Sequence, residues 1–387
     1  MKGFFSIDKP IDAPPRTYCG GTCTLNKGCH SPKMPVTGQG RLKILVVAEA
    51  PGQMEDEQNT QLIGPAGQVL RDTLAEFGVD LDRDCRKTNA VRCRPPDNRK
   101  PTGKEIIACQ PHIWDEIKEH PPKLILLLGQ VAVESFLSGR VKSPGQIGRW
   151  RGFVIPDQKA GCWVAPAFHP SYILRSREGR AIRGKAEAGS VEELFFIQDI
   201  ERALKTLRAP IPHITPAVEV LTDCRAIRAR LTSLKSPVAI DYETTGLKPY
   251  GNGHRIISCG VCGADGAFAF PTAGMEAEWK KVLANPEIKK IAHNMKFESQ
   301  WAAQCLGAET KGWIFDTMLA SHLLDNRRGI CGLKHQVYLS FGIESWGGDF
   351  DFENEPIREP TEELLKYNAS DAFWTMQLYK KQRALFK

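Results

Sequence analysis

Two runs, KILVVAE (43–49) and KLILLLG (123–129), hold unbroken apolar stretches. A strand with one solvated face must alternate apolar and polar residues. An uninterrupted run therefore marks a strand covered on both faces, as in a parallel sheet wrapped by helices. CWVAPAF (162–168) is a third candidate strand. Between these runs, AGQVLRDTLAEFG (66–78) has helical spacing and closes on glycine. TGKEIIACQPHIWDEIKEH (102–120) starts at a Thr cap, carries Glu105 in its first turn and contains a proline that kinks it. VEELFFIQDIERALKTLR (191–208) reads as a closing helix. The pattern predicts an α/β sandwich over residues 1–208. In such sheets ligands bind beyond the carboxyl ends of the strands. Glu49, at the end of the first run, and the His169-Pro170-Ser171 segment both fall there. A carboxylate so close to a core strand is costly unless it has a partner or a chemical task.

At 387 residues the chain exceeds one ordinary core, and the pattern restarts after a proline-bearing stretch, PIPHITPAVEV (210–220). Residues 209–222 are expected as an extended linker and 223–387 as a second domain. There SPVAIDYETTG (236–246), IISCGVCG and AFAFP read as strands of a meander, followed by helices. Asp241 and Glu243 lie two apart on the first of these strands, so both side chains leave the same face. Paired carboxylates repel unless a cation sits between them, which makes the pair a natural site for a hard metal. Tyr367 and Asp371, four apart in LLKYNASDAFW, share one face of a helix, and Glu298 in IAHNMKFESQW stands near a helix start.

Formal net charge is +7, and it is uneven: residues 1–208 carry 31 Lys and Arg against 24 Asp and Glu, the remainder 21 against 21. The surplus favours an anionic partner for the first half, nucleic acid being the commonest, although a solvated basic surface would show the same excess. No apolar stretch approaches the roughly 18 residues that span a bilayer, and MKGFFSIDKP is too short and too polar in its flanks for a signal peptide. A cytoplasmic protein is expected, with oligomeric state open. Twelve cysteines in that setting argue against a disulfide framework. Cys162, Cys224, Cys259 and Cys305 sit in apolar context as small hydrophobes, whereas Cys19, Cys23 and Cys29 crowd a glycine-rich loop and Cys93 and Cys109 flank RPPDNRKPTGKEIIA.

In order, AEAPGQMEDEQ, IGPAGQVL, KTNAVRCRPPDNRKPT and AFHPSYILR resemble the motifs of family 4 uracil-DNA glycosylases, the iron–sulfur type, over residues 17 to 205. The resemblance implies that Glu49 stabilises the sugar cation or aligns water, that His169 donates to uracil O2, and that Asn89 reads the base edge. It implies further that Ala50 and Gly52 approach the flipped base, that Glu55 and Ser171 belong to the substrate site, and that SYILR supplies a wedge holding the base out. Two departures are visible. Ala48 replaces the usual Gly of the first motif, and Leu62 stands where the family stacks a Phe on uracil. Cys93 and Cys109 match the second ligand pair of a 4Fe–4S cluster and Cys19 and Cys23 the first, with Cys29 able to replace either and zinc the rival metal. Arg92, Arg94, Arg99 and Lys100 are expected at phosphate.

The second half resembles the 3′–5′ exonuclease domain of DNA polymerase I, of the ribonuclease H-like fold, over nearly all of 223–387, including IFDTMLASHLLD and GLKHQVYLSFG. The resemblance implies that Asp241, Glu243, Glu298 and Asp371 hold two Mg or Mn ions while Tyr367 orients water, with Glu298 replacing the usual Asp. Asp316 reads as structural. The joint expectation is an enzyme that excises uracil and degrades DNA 3′ ends. The alternative is an exonuclease whose first half only binds DNA or uracil.

Overall fold

The computed structural model describes residues 23–141, 144–181, 190–347 and 358–386. They form two compact units, one running to His213 and the other starting at Ile214. Among the described residues no helix is long and apolar enough to cross a membrane.

The first unit is built on β1 (Ile44–Ala48), β2 (Cys85–Asn89), β3 (Leu124–Leu128), β4 (Ile155–Asp157) and β5 (Cys162–Ala167). Their order is β2-β1-β3-β5-β4, parallel except for the edge strand β4. The three apolar runs are strands, and β1 and β3 are buried along their whole length. They pack with Leu70, Leu74 and Val69 of helix Pro65–Glu76 and with Phe196 and Ile200 of helix Val191–Leu204. The 102–120 segment breaks where Pro111 removes a backbone donor, giving helices Gly103–Cys109 and Pro111–Glu119. The first is closed at its start by a reciprocal Thr102–Glu105 capping box. β2, CRKTN, has no apolar signature. It is nevertheless a buried strand, because Lys87 pairs with Asp82 while Thr88 and Asn89 are enclosed beside β1.

The second unit contains β6 (Val218–Val220), β7 (Val238–Thr244), β8 (Ile256–Gly263), β9 (Gly266–Pro271), β10 (Lys290–Ala292) and β11 (Trp313–Asp316), ordered β11-β10-β7-β8-β9-β6. β7, β8 and β9 form the antiparallel meander, and β10 and β11 run parallel to β7. This is the ribonuclease H-like sheet. Part of the expected linker is structured here: β6 lies parallel to β9. The long helix Glu362–Arg383 crosses the sheet at Gly260, where an added Cβ would stand 2.4 Å from the Asn368 carbonyl oxygen. Only glycine lets that helix settle so low.

Candidate active sites

In the second unit, Asp241 faces Gly260 across the β7–β8 ladder, so the close helix crossing brings Asn368 and Asp371 over it. Asn368 Nδ2 donates to Asp241 Oδ2 at 2.7 Å, and its own Oδ1 accepts from Ser258 Oγ at 2.9 Å. Asp241, Glu243 and Asp371 each offer a carboxylate oxygen, all within 4.8 Å of one another. Glu298, on helix Met295–Leu306, is 2 % exposed, and its Oε2 has no hydrogen-bond partner among the described residues. Burial, then the neighbouring acids, push Asp241, Glu243 and Glu298 well above the usual carboxylate range. Burial also lifts Asp371 to about 6, held from rising further by Lys334, by Trp346 Nε1 donating to its Oδ1 at 2.6 Å, and by the Tyr367 phenol. Lys334 Nζ lies 4.9 Å from the Tyr367 ring centre. An oxygen-only set with too few donors for its charge suits hard divalent cations. Asp316 accepts backbone N–H groups from Asn294, Met295, Met318 and Leu319, so it clamps two helix starts.

In the first unit, Glu49 follows β1, Asn89 ends β2 opposite Ala48, and His169 follows β5. Leu128 pairs with Ala167, which sets Gly129 beside His169; an added Cβ on Gly129 would stand 2.9 Å from His169 Cβ. All three predicted residues therefore lie at one carboxyl edge of the sheet. Burial raises the Glu49 carboxyl, Lys100 and Arg175 draw it back, and Glu134 raises it again. Burial, with Arg175 adding, lowers His169 to about 4, so the ring is neutral at physiological pH. The Ser171 backbone N–H donates to His169 Nδ1 at 3.2 Å, which assigns the ring proton to Nε2. Ser171 Oγ lies 2.8 Å from the same nitrogen, so Ser171 orients the ring.

Ala50 and Gly52 lie half-buried in the turn after β1. Glu55 is engaged with the backbone: its Oε1 accepts from Ile63 at 3.0 Å and Gly64 at 2.7 Å, tying the short helix Gln53–Gln58 to the loop that follows it. Leu62, at φ +55°, is 6 % exposed and packs into the hydrophobic core, so it does not stand out as a surface for stacking. Arg92 also has a structural use, its Nε and Nη2 donating to the Met34 and Lys33 carbonyls. Arg94 reaches Asn98, Arg99 is held by Glu105, and Lys100 stands 3.9 Å from Glu134.

Cys93 and Cys29 are hydrogen-bonded through their side chains, and Cys109 is near enough for its charge to act on Cys93. Burial pushes the Cys93 thiol up to about 12, with the Lys33 N–H donating to its Sγ at 3.2 Å. Cys23 is buried within electrostatic reach of Arg99, and Cys19 lies outside the described residues. Enclosed thiols whose ionisation is opposed by burial fit a group that brings positive charge to them. Sequence reading did not single out Asn368, Trp346, Lys334, Gly129 or Arg175. Asn368 alone carried a local signal, lying between Tyr367 and Asp371, though facing Asp241.

Residues 35–194 match the uracil DNA glycosylase superfamily, and residues 218–385 match a 3′–5′ exonuclease family. The type-4 uracil-DNA glycosylase of Thermotoga maritima is 36% identical over 170 residues, covering 43% of this chain and 80% of that protein. Its counterpart from Pyrobaculum aerophilum is 32% identical over 184 residues, 47% of this chain and 90% of that protein. A DNA polymerase of Bacillus phage SP01 is 26% identical over 333 residues, spanning 76% of this chain but 34% of its own length. The chain thus belongs, by its first half, to the type-4 uracil-DNA glycosylase family, with a 3′–5′ exonuclease domain of the DNA polymerase I type fused behind it.

Proposed function

We propose that this is a cytoplasmic, bifunctional DNA repair enzyme that excises uracil by hydrolysing its N-glycosidic bond and degrades DNA 3′ ends by phosphodiester hydrolysis. The observation that carries the reading is the convergence of Asp241, Glu243 and Asp371 oxygens within 4.8 Å, in a chain whose other half belongs to a glycosylase family.

Cleavage of the glycosidic bond leaves positive charge on the sugar and negative charge on uracil. In this reading the Glu49 carboxylate faces the sugar; burial raises its proton affinity, and Lys100 and Arg175 oppose that rise. The His169 Nε2 proton meets uracil O2, and because the ring starts neutral it adds no charge that would need a counter-ion before the bond breaks. Asn89 accepts from uracil N3–H and donates to O4, a pattern that cytosine does not satisfy. Cys19, Cys23, Cys93 and Cys109 would hold the 4Fe–4S cluster, with Cys29, which is hydrogen-bonded to Cys93, the rival ligand, and the cluster would supply a structural cross-link between the cysteine loop and helix Gly103–Cys109.

In the second unit Asp241, Glu243, Glu298 and Asp371 would hold two Mg or Mn ions, which when bound supply Lewis-acid chemistry at water and at the leaving oxygen. Tyr367 orients the attacking water with its phenol, held in turn by Asp371. Asn368 and Trp346 fix the carboxylates so that they do not reorganise during the reaction.

The buried Leu62 favours a second reading, in which the first half binds uracil-bearing DNA without cutting it. Base–aromatic stacking contributes roughly 1–3 kcal/mol, and a core side chain contributes none of it. Glu49→Gln and Asp241→Ala separate the readings. Glu49→Gln is expected to lower uracil release on the order of 100-fold or more and leave 3′-end degradation intact, and Asp241→Ala to do the reverse. Uracil release that is undetectable in the unaltered protein while 3′-end degradation persists would establish the binding-only reading.

A further inference from the structure

Half a turn of the Asn89 carboxamide exchanges Oδ1 and Nδ2, and with them the hydrogen-bond pattern offered to a base. A selective site must lock that rotation. Gln61 is fully buried, its Nε2 donating to the Pro35 carbonyl at 3.1 Å and its Oε1 accepting from Asn89 Nδ2. The chemistry of the chain has one direction. The Pro35 carbonyl can only accept, so Gln61 turns its NH2 group to it and its oxygen toward Asn89. That oxygen can only accept, so Asn89 turns its NH2 group inward and directs Oδ1 away from Gln61. The far end is anchored as well: Met34 N–H donates to the Arg92 carbonyl at 2.9 Å, and Thr37 is paired with Lys87 of β2, two residues before Asn89.

We propose that Gln61 is a positioning residue that sets selectivity for uracil over cytosine by fixing the Asn89 amide through the Pro35 carbonyl. This rests on the glycosylase reading above. With the amide held, the acceptor meets uracil N3–H, whereas cytosine brings an unprotonated N3 to the same oxygen. Two acceptors then face each other, and the mismatch leaves buried polar groups unpaired.

Amide NMR spectra of the full chain, with the Asn89 side-chain resonance identified by its loss in Asn89→Ala, test the relay without activity. The same proteins are assayed on oligonucleotides bearing a single uracil or a single unpaired cytosine. Near-isosteric Gln61→Met is expected to shift the Asn89 resonance upfield, to lower kcat/KM for uracil roughly ten-fold, and to lower the uracil-over-cytosine ratio by a similar factor. Gln61→Glu, neutral at this fully buried position, keeps an O–H donor toward Pro35 and an acceptor toward Asn89 and is expected to retain the ratio. An unmoved resonance or an unchanged ratio in Gln61→Met overturns the relay, as does a lost ratio in folded Gln61→Glu. An unaltered protein that releases no uracil overturns the glycosylase reading instead, and the resonance still decides the relay.

Discussion

The two sites answer opposite electrostatic problems. Around Glu49 two acids, Glu49 itself and Glu134, are met by Lys100 and Arg175, with a neutral imidazole and a carboxamide beside them, so the site comes close to neutrality from its own side chains. Around Asp241 four acids share an enclosed space with Lys334, Asn368 and Trp346, and their raised proton affinities record their burial first and then the shortage of positive charge. The first arrangement suits an uncharged base that acquires charge only as a bond breaks. The second is balanced only by cations and a phosphodiester. A fused chain can hold both because each site is assembled within its own sheet.

Each site also depends on one glycine, and those glycines give the strongest way to break the comparison. Gly260→Ala sets a methyl group 2.4 Å from the Asn368 carbonyl, forcing the Glu362–Arg383 helix to lift and carry Asp371 away from Asp241. A misplacement of about 1 Å costs on the order of 100-fold in rate, and overpacking costs about 1–3 kcal/mol of stability. Loss of 3′-end degradation with unaltered uracil release is expected; a fully active exonuclease would show that the helix is not seated by this contact. Gly129→Ala is the counterpart, adding a methyl 2.9 Å from His169 Cβ at φ +85°. Left-handed strain of about 1–2 kcal/mol and a displaced imidazole should lower uracil release roughly ten-fold, with 3′-end degradation unchanged. Parallel loss of both activities would mean that the two sites are not independent.

The smallest effect is on pH dependence. His169 and His112 are each lowered to about 4 by burial, against an ordinary 6.5. Between those values the unfolded chain binds protons that the folded unit refuses, so stability is present above about pH 6.5 and is lost as pH falls toward 4. The raised carboxylates of the other site carry the opposite sign. Thermal melting followed across this range should show the first unit weakening with acid, and His169→Gln should flatten part of the slope. A first unit indifferent to pH between these limits would mean that His169 is not held neutral by the fold.

Much of this was legible in the sequence because it was local. The apolar runs of β1 and β3, the Thr102 cap, the break at Pro111, the Asp241-x-Glu243 spacing and the Tyr367–Asp371 turn each follow from one stretch of chain. What was hidden depends on distant partners. β2 is polar and becomes a strand only because β1 pairs with it and Asp82 pairs with Lys87. β6 follows a run of prolines and is recruited by the flank of β9. Leu62 could be seen as a departure, but its turn into the core rests on a left-handed backbone. Gln61 meets Asn89 across 28 positions, beyond any periodic pattern.

β6 has a consequence for anyone isolating the exonuclease domain. It occupies the open flank of β9, with Val218 and Val220 packed against Ala269 and the Glu362–Arg383 helix. Cutting the chain after residue 221 would leave the six-residue strand Gly266–Pro271, with Phe268 and Phe270 in it, as a bare template for another molecule's backbone. A shortened protein begun there invites self-association, and one begun ahead of Ile214 keeps its own safeguard.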